Sequence, residues 1–201
     1  MGLLVLWTLL IAFGYIFLKK DIFRLMRIVR EPTMLAFATA SSESAYPKTM
    51  EALDKFGVPK RITSFVLPLG YSFNLDGSMM YMAFAVLFIA QAYNIDLSFS
   101  QQALILFTLM ITSKGIAGVS RASIVVIAST LAMFKLPEAG ILLILAIDQF
   151  LDMGRTATNV IGNSIATAVI ARTEGNKDEL TEQEGIMVNN IPPANQLADN
   201  S

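Results

Sequence analysis

The chain contains no cysteine and no histidine. The first absence excludes a disulfide framework and thiolate metal sites. The second removes the commonest metal ligand and the usual general base. Charge is scarce too: 15% of the 201 residues are Asp, Glu, Lys or Arg, against about 25% in soluble domains. The net charge is −1, so no global basic surface points to nucleic acid. No positive segment precedes the first apolar run and no small-residue cleavage site ends it, so it does not read as a signal peptide.

Apolar residues are abundant instead. They make up 54% of the chain, and the mean hydropathy is +0.57. With several long apolar runs, this composition predicts an all-α, polytopic membrane protein. Residues 1–20 read as a transmembrane helix, with Trp7 and Tyr15 near the ends of the Leu3–Leu18 run. That run is slightly short for a span of about 20 residues, as if the chain began inside a helix. It closes on a basic cluster, Lys19, Lys20, Arg24, Arg27 and Arg30, which the positive-inside tendency places in the cytoplasm.

Residues 21–55 run from that cluster through an apolar stretch to Thr39-Ala40-Ser41-Ser42-Glu43-Ser44, then back to a second basic cluster at Lys55, Lys60 and Arg61. Both flanks are basic and therefore cytoplasmic. This predicts a re-entrant hairpin with a serine-rich tip, lining a cavity at membrane depth. An amphipathic surface helix and loop is the alternative. Residues 62–93 form an apolar segment interrupted by Gly70-Tyr71-Ser72-Phe73-Asn74-Leu75-Asp76-Gly77-Ser78. Gly, Asn and Asp favour non-helical backbone, so this reads as a broken transmembrane helix; an ordinary loop between two short helices is the alternative. Its freed carbonyls and Asp76 suit a hard cation. Asn94–Ser100 has no basic residue and is placed outside. Residues 97–134 are apolar on either side of Ser113-Lys114-Gly115-Ile116-Ala117-Gly118-Val119-Ser120-Arg121. They read as a second re-entrant hairpin, a gate, entered from the opposite side; a loop between two spans is the alternative. Residues 136–172 read as the last transmembrane helix and 173–201 as a disordered cytoplasmic tail. Two hairpins entering from opposite sides, each followed by a long helix, make an inverted-repeat pattern, with binding expected where the repeats meet.

The last helix carries Asp148, Asp152, Arg155, Thr156, Asn159 and Asn163. At about 100° per residue these fall within an arc of roughly 100°, opposite Phe150, Met153, Ala157 and Ile161. Charge at membrane depth is costly and normally faces a cavity, a partner or a substrate. An Asp–Arg pair that only locks helices together is the alternative. Two buried carboxylates also raise an intramembrane aspartyl protease. However, Asp148 and Asp152 lie one turn apart on one helix, and a guanidinium beside Asp152 holds it ionised. The chain is therefore not read as an enzyme.

The tip TASSES, the broken-helix NLDGS, the second tip SKGIAGVS and DMGRT…N…GN occur in this order. Over Leu3 to Gly175 they resemble the C-terminal half of the dicarboxylate/amino acid:cation symporters, the glutamate transporter family. The resemblance implies the transport domain of that fold, an elevator motion against an N-terminal scaffold, a homotrimer when complete, and a multi-pass location in the cell inner membrane with a cytoplasmic C-terminus. It implies symport of aspartate or glutamate coupled to sodium or protons, with C4-dicarboxylate symport or an inactive fragment as alternatives. No cofactor is implied beyond the coupling ion. By matching position, the substrate-binding residues are Ser41, Ser42, Ser78, Val119, Asp152, Arg155, Thr156 and Asn159. Arg155 takes the side-chain carboxylate and Asp152 the α-ammonium; family members specialised for dicarboxylates tend to lack an acid at the Asp152 position. The cation-site residues are Gly70, Ser72, Asn74, Asp76, Ser113, Lys114, Ile116, Asn159 and Asn163. Asn163 stands where strictly sodium-coupled members carry Asp, and bacterial members with Asn there include proton-coupled ones. Leu75 replaces a usual Met, and Ser120-Arg121 a common Pro-Gly; for Arg121 the alternatives are Glu43 of the other tip or solvent, and for Asp148 tuning the charge of Arg155 or a hydrogen bond to the broken helix.

Overall fold

In the computed structural model, backbone is described for residues 2–115 and 122–189, and side chains for 2–114 and 123–175. Every regular element there is helical: α1 Gly2–Leu18, α2 Asp21–Thr39, α3 Ser42–Phe56, α4 Lys60–Phe73, α5 Asp76–Ala92, α6 Phe99–Thr112, α7 Ala122–Met133 and α8 Ile141–Asn189. Short 3-10 turns at Ser113–Gly115 and Glu138–Gly140 follow α6 and precede α8.

The serine-rich tip turns sharply because both helix ends are capped. Ala40 adopts left-handed backbone, φ 48°, at the end of α2. Ser41 then opens α3, its hydroxyl accepting from the Ser44 N–H. The result is a helical hairpin, α2 against α3. The break between α4 and α5 is narrower than the sequence suggests: only Asn74 and Leu75 leave helical backbone. Gly70 and Gly77 remain inside helices because tertiary packing overrides their weak propensity.

α8 is the axis of the fold, packed by α1, α2, α3, α4 and α5. Its later half, at Ile161, Ile165 and Ala168, joins a core with Ile22 and Leu25 of α2, Leu53 of α3 and Leu67 of α4. Its start, at Ile144, joins a second core with Met82 and Ile89 of α5, Ile105 of α6 and Ile127 of α7. Between these cores, Val160 packs against Ala36 and Ala45, which flank the serine tip. The polar stripe of α8 is thereby held at the level of the tip and of the break.

α8 runs to Asn189, where the sequence predicted a helix end at Arg172 and disorder from 173. Residues 177–184, KDELTEQE, are mostly strong helix formers. Lys60–Ala92 is long and apolar enough to cross a membrane; Gly2–Leu18, Phe99–Thr112 and Ser123–Met133 are apolar but shorter. Large apolar side chains are exposed all around, among them Phe65, Phe84, Phe107, Val125 and Phe150. Soluble monomers rarely expose so much contiguous apolar surface.

Candidate functional site

Around Arg155 the polar face of α8 is covered, so the residues of its stripe are buried with their partners, while Phe150 on the opposite face is exposed. Asp148, Asp152, Arg155, Thr156, Asn159 and Asn163 are all less than 9% exposed. Arg155 Nη2 lies 2.6 Å from Asp152 Oδ1, one helical turn away. Its Nη1 donates to Ser78 Oγ at 2.8 Å. Its Nε is buried with no hydrogen-bond partner among the described residues. Thr156 Oγ1 also donates to Asp152 Oδ1, at 3.4 Å. The Asp–Arg pair that the sequence allowed is thus present, and it is wired to the start of α5.

Asn159 makes that junction. Its Oδ1 accepts from the Gly77 N–H at 2.9 Å and the Ser78 N–H at 3.4 Å. Its Nδ2 donates to Ser78 Oγ at 2.9 Å. These N–H groups are orphan donors of a helix N-terminus, so an α8 side chain caps α5. The Asn159 amide oxygen therefore serves the backbone of α5. Gly77 permits this approach, because a β-carbon there would run into the backbone carbonyl of Arg155.

The cation-site candidates gather at the break. Asn74 Nδ2 donates to Asn163 Oδ1 at 3.3 Å, and a β-carbon on Gly70 would meet the same oxygen. Asn163 Nδ2 is buried with no hydrogen-bond partner among the described residues. Asp76 packs its carboxylate against Gly162. Ser72 lies in the last turn of α4. Ser113 is buried and turns its hydroxyl to the Met110 carbonyl, 3.2 Å away. The Lys114 ammonium donates to the Phe73 carbonyl; the side chain of this expected cation-site residue is itself a cation. Oxygens suited to a hard monovalent cation are present, but Asp76 is the one carboxylate the break itself supplies, and no cluster of three acidic ligands occurs among the described residues.

Ser41 and Ser42 sit half-buried at the hairpin tip. Ser41 bonds locally, to Glu43 and Ser44. Val119 and Ile116, like Arg121, lie outside the described residues.

Sequence reasoning missed Tyr81. Its hydroxyl donates to Asp148 Oδ1 at 2.6 Å, and the Arg155 guanidinium lies 5.8 Å from its ring centroid. Tyr81 follows Ser78 by one helical turn on the same face, a spacing that pairs side chains. That spacing was the available signal. It also gives Asp148 a partner on α5.

Residues 1–173 match the sodium:dicarboxylate symporter family. The chain is 52% identical over 159 residues to the proton/sodium-glutamate symport protein of Bacillus caldotenax, covering 79% of this chain and 38% of that protein. It is 51% identical over 150 residues to the proton/glutamate-aspartate symporter of Escherichia coli K12, covering 75% and 34%. It is 46% identical over 160 residues to C4-dicarboxylate transport protein 1 of Mesorhizobium japonicum, covering 79% and 34%. The chain therefore spans little more than a third of the length of these relatives.

Proposed function

The chain belongs to the sodium:dicarboxylate symporter family, whose fold is a polytopic membrane transporter, and on that premise we propose that it forms the substrate-holding part of a cation-coupled symporter for aspartate or glutamate. One observation carries the substrate choice: a buried carboxylate and a buried guanidinium, Asp152 and Arg155, 2.6 Å apart. An acidic amino acid exchanges that single ion pair for two. Its side-chain carboxylate takes the donor fork of Arg155, whose planar geometry suits bidentate recognition. Its ammonium takes Asp152. Both buried side chains keep a partner of opposite charge, and the substrate's α-carboxylate, with its net charge of −1, falls to other groups, Ser41 and Ser42 at the hairpin tip among them.

A C4-dicarboxylate has no ammonium. It would claim Arg155 and strand Asp152, and stranding one partner of a buried pair costs about 3–5 kcal/mol. That reading stays second, supported by the relatives named for C4-dicarboxylate transport.

In the same proposal, α2–α3 and the α6–α7 region are the two re-entrant hairpins, and α4–α5 is the broken span between them. The complete assembly is a homotrimer in the cell inner membrane, its C-terminus cytoplasmic, working by an elevator motion. Sodium, protons or both drive uptake. The test is uptake of aspartate, glutamate and succinate into proteoliposomes with sodium and pH gradients imposed separately. Uptake of succinate but neither amino acid would overturn the substrate assignment.

A further inference from the structure

Cation-coupled transport, as proposed above, is the premise here, and the break between α4 and α5 is where oxygens for a cation collect. In an unbroken helix the Phe73 carbonyl would accept from the residue 77 N–H. Here that N–H is held by Asn159 Oδ1, so the Phe73 carbonyl is released to another donor. The donor it finds is the ammonium of Lys114, 41 positions along the chain, in the 3-10 turn that follows α6. The same ammonium lies within Coulombic reach of Asp76. The other side chains at the break, Asn74 and Asn163, are neutral and hydrogen-bonded to each other.

We infer that Lys114 is a tethered counter-ion that takes the place of one metal cation at the break. The charges support this directly. Asp76 contributes −1 and Lys114 +1, so this end of the site is balanced with no metal present. A sodium ion held by the same carbonyl would share that oxygen with the ammonium and meet a like charge beside it. The residues therefore do not fit a metal ion at this subsite, although the oxygens of Asn74, Asp76 and Asn163 leave room for cation binding elsewhere in the break. A metal cation dissociates and must be rebound in each cycle, whereas a tethered ammonium stays. The subsite is thus filled without contributing a transported charge.

The experiment is a sodium titration of the full-length protein in nanodiscs, read by thermal unfolding, with choline replacing sodium at constant ionic strength. Lys114→Met removes the charge at similar length, and Lys114→Gln removes it while keeping a donor for the Phe73 carbonyl. Both are expected to bind sodium about tenfold more tightly than the parent, a modest factor because Lys114 is exposed and screened. Lys114→Arg is expected to keep the parent's response. Equal or weaker sodium binding in the neutral variants would overturn the inference. Calorimetry of the parent with glutamate and succinate is run alongside. Failure to bind either would defeat the transporter reading while leaving the sodium comparison readable.

Discussion

Asn159 and Ser78 are joined twice: Asn159 Oδ1 accepts from the Ser78 N–H at 3.4 Å, and Asn159 Nδ2 donates to Ser78 Oγ at 2.9 Å. The same Ser78 hydroxyl accepts from Arg155. One serine therefore ties the broken helix to the buried guanidinium, and one asparagine fixes that serine.

Asn159→Ala should release the start of α5. It removes an N-terminal cap and a buried side-chain bond, together worth about 2 kcal/mol. Thermal unfolding of the substrate-free protein should show a lower midpoint; an unchanged midpoint would mean that the cap contributes nothing.

Asp152→Ser should separate the two substrate classes. It removes the acceptor for an ammonium, so glutamate binding should weaken by at least about tenfold, or 1.4 kcal/mol. Succinate binding should weaken less, or improve, since no carboxylate is then stranded. Isothermal calorimetry with both ligands checks this, and the reverse order of losses would refute the amino-acid preference.

Tyr81 acts through its hydroxyl and its ring, and two variants divide them. Tyr81→Phe deletes the bond to Asp148 and should cost about 1–3 kcal/mol of stability. Tyr81→Leu also removes the ring beside Arg155, which adds about 0.5–2 kcal/mol and should weaken affinity for acidic substrates. Equal affinities in the two variants would show that the ring does not hold the guanidinium.

Gly77→Ala tests the closeness of α5 to α8. The added methyl would strike the Arg155 carbonyl and come within 2.9 Å of Thr158 Cβ. Overpacking of this kind costs about 1–3 kcal/mol, and here it also shifts Ser78 away from Arg155. Both the unfolding midpoint and substrate affinity should fall. An unchanged midpoint would mean that the two helices have slack between them.

The polar stripe of α8 was readable because helical periodicity alone puts Asp148, Asp152, Arg155 and Asn159 on one face. The break was readable from Asn74, Asp76 and Gly77, residue types with weak helix propensity, although the backbone leaves the helix only at Asn74 and Leu75. What one residue does for another across two helices was not readable. Nothing local says that Asn159 caps α5 or that Lys114 reaches the Phe73 carbonyl, and the Ser78–Tyr81 spacing marks Tyr81 without naming Asp148 as its partner. Each contact depends on how deeply α5 and the turn after α6 seat against the rest, which tertiary packing sets. The continuation of α8 to Asn189 was missed for another reason: a polar composition was read as disorder, although Lys, Glu, Leu and Gln are good helix formers.

The sequence contains one tryptophan. Trp7 lies in α1, and its indole N–H donates to Thr158 Oγ1 at 2.7 Å, one residue before Asn159. Indole emission depends on whether that N–H is bonded to protein or water. The chain thus carries its own optical probe, seated on α8 beside the cap that holds the broken helix. Any ligand that shifts α8 against α1 would be reported by the unlabelled protein, without an introduced fluorophore.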